Sequence, residues 1–157
     1  MSSEFINPIV QATYDVLEEV LGTDISRRRL SKHTKALPLH RISALAGLTG
    51  TVEGYIVLSM PLNVALSVAA VVSNEEVTAL DDISQAAIIG LVDTIMLEAL
   101  RRLREEGAKA AVTPTALFWG QGLQLSCSEI EAALIPLQMP LGSIELTVAL
   151  QDSRDED

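Results

Sequence analysis

Apolar positions recur at spacings of three and four at the start of the chain, where Ile6, Ile9, Val10, Thr13, Val16, Leu17, Val20 and Leu21 line one face. That spacing predicts an amphipathic helix over Ser3–Leu21, capped by Ser2 or Ser3, with Pro8 in its first turns and Gly22 as its stop. A longer helix is predicted over residues 81–106. Its buried stripe is Ile88, Val92, Ile95, Met96, Ala99 and Leu103, and Gly107 ends it. Asp81 and Asp82 lie at its positive end and Arg101, Arg102 and Arg104 near its negative end, as the helix dipole favours. Between the two helices the period changes to two. Residues 42–48 and 51–59 read as a hairpin turned by Gly47, Thr49 and Gly50, and Pro61 opens a short helix over 62–72. Beyond Gly107, strands are expected at 116–119, 123–127, 132–138 and 144–150. Gly120, Gln121 and Gly122 would turn the first pair, and Pro140, Leu141 and Gly142 the second. The economical architecture is α+β, in two layers, with helices packed on a largely antiparallel, meandering sheet. One domain is expected over 1–151, followed by an acidic tail over 152–157.

Composition narrows the functional classes. The 157 residues fit one ordinary domain, and 48% hydrophobic against 20% charged residues is too apolar for a disordered chain. A net charge of -10 argues against a nucleic-acid binder and against an anionic membrane surface as partner. The single cysteine, Cys127, excludes a disulfide framework and suits a reducing cytoplasm. The start of the chain carries acids and no basic residue, unlike a signal peptide, and no run of about 20 apolar residues is expected to span a membrane. Six of the eleven basic residues fall between Thr23 and Arg41 (Arg27, Arg28, Arg29, Lys32, Lys35 and Arg41). They read as a solvated loop or a protected sheet edge, with a contact patch for an acidic partner as the sharper alternative.

Most chemical motifs are missing. There is no P-loop, dinucleotide glycine fingerprint or HExxH. His33 and His40 lie in the basic stretch without a carboxylate cluster, so no metal site is expected. Cys127 reads as a small core residue, and Trp119 as a candidate interface anchor.

The succession of short motifs carries more. Glu4-Phe5-Ile6-Asn7-Pro8 with Ala12-Thr13, Gly47-Leu48-Thr49-Gly50 with Gly54-Tyr55-Ile56-Val57-Leu58-Ser59-Met60, Leu80-Asp81-Asp82, Thr113-Pro114-Thr115 and Gly120 follow one another in order over nearly the whole chain. In this succession the chain resembles the CheC/CheX/FliY chemotaxis phosphatase family, in its CheX-like branch. The resemblance implies a homodimer that acts on the aspartyl-phosphate of a CheY-like receiver domain, with any Mg²⁺ belonging to that receiver and no cofactor of its own. It further implies an active helix with Asp or Ser, then Glu, then Asn at offsets 0, 4 and 7 on one exposed face. The Glu would pair with a lysine of the regulator, and the Asn amide would position the attacking water.

Aligned from Leu80-Asp81-Asp82, those three positions hold Ala86, Gly90 and Asp93. A one-residue slide would give Ala87, Leu91 and Thr94. Neither register contains a Glu–Asn pair. Gly90 has no carboxylate, and ionised Asp93 offers only acceptors where an amide also donates. Ala86, Gly90, Asp93 and Pro114 are therefore the expected binding residues, with Asp93 at the degenerate catalytic position. The implied function is binding of a phosphorylated receiver domain with weak or no phosphatase activity. The alternative is an active phosphatase in which the Asp93 carboxylate holds the water as general base.

Overall fold

The computed structural model describes residues 3–33, 36–126 and 130–153. Three helices, α1 (Ser3–Leu21), α2 (Leu62–Ser73) and α3 (Asp82–Glu105), pack on one face of an eight-stranded antiparallel sheet. The large strands are β4 (Ile42–Gly50), β5 (Val52–Met60), β9 (Ala132–Met139) and β10 (Gly142–Asp152). Each of the two pairs is a hairpin, as the alternation predicts. They are zipped together through β5 and β10, giving the order β9-β10-β5-β4. The sheet is therefore not a sequential meander. Joining the hairpins this way puts β5 and β10 at the centre, where the consecutive buried positions 56–60 and 146–150 have both faces covered.

The core follows the period of two. Ile42, Ala44, Ala46 and Leu48 of β4, Ile56, Leu58 and Met60 of β5, and Ile144, Leu146, Val148 and Leu150 of β10 are buried beneath the helices. The helices answer with Phe5, Ile9 and Leu17 of α1, Val64 and Val68 of α2, and the predicted stripe of α3. Gly54 (φ +146°) is fixed by sheet packing rather than by a turn. A Cβ there would lie 1.9 Å from the Ala149 carbonyl oxygen.

Six short strands complete the fold. β1 (Ser26–Arg27) and β2 (Ser31–His33) run along the outer edge of β9, so the basic stretch is a sheet edge carrying exposed Arg27, Arg28, Arg29 and Lys32. The break between them falls opposite Pro136. Arg28 N–H reaches the Pro136 carbonyl at 2.8 Å, but proline has no N–H to return. On the other edge, β6 (Ala110–Val112) and β7 (Ala116–Trp119) succeed one another along β4. Gly120, Gln121 and Gly122 do not turn β7 onto the next strand. Instead they carry the chain to the far face of the sheet, where β8 (Gln124–Leu125) pairs with β3 (Leu37–Pro38). There Leu37 and Leu125 cover Ala132 and Ala149, apolar surface that a β7–β8 hairpin would leave exposed. Cys127 and Ser2 lie outside the described residues.

Two further expectations change. The tail begins later than residue 152, because Asp152 pairs with Val52 in the sheet and Ser153 N–H donates to the Thr51 carbonyl at 2.9 Å. Residues 154–157 lie outside the described residues. α3 is also long and apolar enough to cross a membrane by length and composition. Here its apolar face is buried against α1, α2 and the sheet, with ten positions from Ser84 to Leu103 shielded.

Candidate functional site

α3 is positioned by its ends and its buried side. Asp81 caps it, its carboxylate accepting from Ser84 N–H at 2.9 Å, and this bond holds the Asp81 carboxyl below its ordinary value. Toward the other end, Arg102 reaches Asp15 of α1 at 2.8 Å and Glu98 at 2.9 Å, while Arg101 bridges Glu98 and Glu105. Hydrogen bonds from Arg101 and then Arg102 hold the Glu98 carboxyl down to about 2. Arg102 straps α3 to α1 and fixes the rotation of its solvent side, while Arg101 pairs within α3.

That side is a continuous ribbon. Asp82, Ile83, Ala86, Gly90, Asp93, Thr94 and Leu97 are all exposed, whereas Ala87 and Leu91 of the alternative register are buried. The ribbon is apolar at both ends, with Ile83 50% and Leu97 66% exposed. At Gly90 a Cβ would meet nothing within 4 Å, so no packing demands glycine there. Asp93 is its only ionisable side chain beyond the first turn. Among the described residues no Lys or Arg forms an ion pair with it.

Pro114 is exposed at the bulge between β6 and β7. Thr113 pins this bulge to β4: its N–H donates to the Gly47 carbonyl at 3.0 Å, and its Oγ1 accepts from Gly47 N–H at 2.8 Å. The next residue, Thr115, donates from Oγ1 to Asp93 Oδ1 at 2.6 Å. The structure thus brings Asp93 beside the Pro114 bulge, with Gly90 and Ala86 one and two turns back along the ribbon. Sequence reasoning did not single out Thr115, Ile83 or Leu97. The spacing 83, 86, 90, 93, 97 could have revealed the two apolar ends. Trp119, 50% exposed, follows Thr115 and Leu117 by alternation on the helix-bearing side of β7.

His40 does have a carboxylate neighbour: its Nε2 lies 2.9 Å from Glu145 Oε1 of β10. Ser43 and Ser59 contact the His40 backbone rather than its ring, so the cluster is not a nucleophile–base pair. Among the described residues no three His, Cys, Asp or Glu side chains gather to hold a metal.

No family model matches the chain. It is 24% identical over 126 residues to the CheY-P phosphatase CheX of Thermotoga maritima, covering 80% of this chain and 81% of that protein. Its fold matches the chemotaxis protein CheX of Desulfovibrio desulfuricans with a TM-score of 0.85, at 20% identity over 94% of this chain and 99% of that one. It also matches the structure of the CheX–CheY–BeF₃–Mg²⁺ complex from Borrelia burgdorferi, with a TM-score of 0.81 and 27% identity over 94% and 97% of the two chains. Three helices on one face of two zipped antiparallel hairpins, with a solvent-facing ribbon along the longest helix, is the CheX/CheC-like fold. In sequence and in fold the chain is similar to CheX/CheC-like chemotaxis proteins.

Proposed function

We propose that this protein binds a phosphorylated response-regulator receiver domain of the CheY type through the α3 ribbon, with weak or no phosphatase activity. The observation that carries the reading is the composition of that ribbon. Ala86, Gly90 and Asp93 are exposed and aligned, yet they include neither a glutamate nor an amide. The apolar ends, Ile83 and Leu97, supply contact area, and the face between them is free of bulky side chains. The CheX of Borrelia burgdorferi has been solved with CheY carrying BeF₃ and Mg²⁺, and this supports a receiver as the partner class.

The chemistry supports weak hydrolysis. A second negative charge about 4 Å from the phosphoryl group costs roughly 4 kcal/mol at an effective dielectric near 20. Falling on the transition state, that is on the order of a thousandfold in rate, offset in part by the receiver's Mg²⁺. Any Mg²⁺ arrives with the receiver. Homodimerisation, which the family resemblance implies, would present two such ribbons.

Titration of labelled CheY-type receivers, with and without BeF₃ and Mg²⁺, tests the reading. Saturable binding strengthened by BeF₃, and weakened about tenfold or more in Gly90→Arg, is expected, since a bulky cation in the middle of the ribbon blocks close approach. No binding in either state, or wild-type binding by Gly90→Arg, overturns it.

A further inference from the structure

Asp93 draws its hydrogen bond from across the fold. Thr115 is 22 residues further on, held at the β6–β7 bulge by the two Gly47–Thr113 bonds and by the fixed φ of Pro114. An ionised carboxylate can only accept, so the Thr115 hydroxyl is the donor. At 2.6 Å the contact lies in the range of charge-assisted O–H···O⁻ bonds. It engages Oδ1. No side-chain donor among the described residues is bonded to Oδ2. An exposed aspartate would otherwise populate several rotamers and lose that freedom on binding; one already fixed does not.

We propose that Thr115 is a positioning residue that locks Asp93, so that Oδ2 stands on the α3 ribbon as a fixed acceptor. The lock selects a partner surface that brings an ammonium, guanidinium or hydroxyl donor to this point, over one that offers only acceptors. This selectivity rests on the α3 ribbon being the receiver-binding face; the lock itself does not. Thr115 thereby does from the β6–β7 bulge what its ribbon neighbours do not: Ala86 and Gly90 have no polar side-chain atoms, and the Thr94 hydroxyl donates to the Gly90 carbonyl at 2.9 Å.

Thr115→Val removes the hydroxyl and keeps the β-branched shape, while Thr115→Ser keeps the hydroxyl. In the free protein, NMR couplings about the Asp93 Cα–Cβ bond should report one rotamer in wild type and in Thr115→Ser, and averaging in Thr115→Val. Averaged couplings in wild type overturn the proposal, whether or not any receiver binds. With a BeF₃-activated receiver, Thr115→Val should weaken binding about three- to tenfold, within what one ordinary hydrogen bond contributes. Thr115→Ser should restore it, and Thr115→Val should add nothing in an Asp93→Ala background. A loss that persists in that background, or Asp93→Ala binding as well as wild type, overturns the positioning role. A locked rotamer in a protein that binds no receiver contradicts the receiver reading and leaves the lock standing.

Discussion

Replacing Gly90 with Glu and Asp93 with Asn should convert the proposed binding face into a catalytic one. The two changes restore the carboxylate and the amide that the family resemblance places at these positions. Removing the Asp93 charge relieves a repulsion of roughly 4 kcal/mol at about 4 Å from the phosphoryl group, on the order of a thousandfold in rate. Asn can accept from the Thr115 hydroxyl at the site now used by Oδ1, leaving its NH₂ directed outward to hold water. The scaffold should tolerate the pair. A Cβ at Gly90 meets nothing within 4 Å, and replacing a mid-helix glycine is worth up to about 1 kcal/mol. The assay is decay of a phosphorylated CheY-type receiver under single-turnover conditions. Because docking and Mg²⁺ share the effect, acceleration of at least about a hundredfold over wild type is expected. A folded double variant that binds the receiver but leaves its phosphate lifetime unchanged would refute the reasoning, since side-chain identity would then not be what is missing.

Glycine positions separate packing from surface. Gly54→Ala should cost about 3 kcal/mol or more in chemical denaturation, because its Cβ would collide with the Ala149 carbonyl at a φ that L-residues avoid. Gly90→Ala should instead gain about 0.5–1 kcal/mol, and a loss there would mean the ribbon packs against something. The Glu98 carboxyl is held at about 2, below its ordinary 4.5, so its ion pairs stabilise the fold above about pH 4.5 and that contribution fades as pH falls toward 2. Glu98→Gln should therefore be less stable at neutral pH and lose stability less steeply over that window; parallel curves for the two proteins would contradict the strap. Light scattering at micromolar concentration should give twice the monomer mass, and a monomer at all accessible concentrations would exclude the proposed homodimer.

Periodicity made most of this fold legible. The α1 and α3 stripes and the alternation in β4, β5, β9 and β10 are local patterns, and burying them leaves few ways to arrange the layers. The short strands were less accessible because their pairing depends on distant edges. β1 and β2 form only because β9 offers a free edge, and β6 only because β4 does. Gly120 to Gly122 has the composition of a hairpin turn, yet the demand to cover Ala132 and Ala149 takes the chain elsewhere. Helix geometry placed Ala86, Gly90 and Asp93 on one face. Thr115 and the pairing of His40 with Glu145 arise across 22 and 105 residues, from topology that no local pattern encodes.

The most direct measurement is the lifetime of the aspartyl-phosphate on a receiver that this protein binds, with and without a stoichiometric excess of the wild-type chain. A lifetime shortened by less than about tenfold, while the complex demonstrably forms, is what a ribbon of Ala86, Gly90 and Asp93 predicts. Acceleration beyond that by the unaltered protein would mean that Asp93, or a group not on this face, directs water onto phosphorus after all.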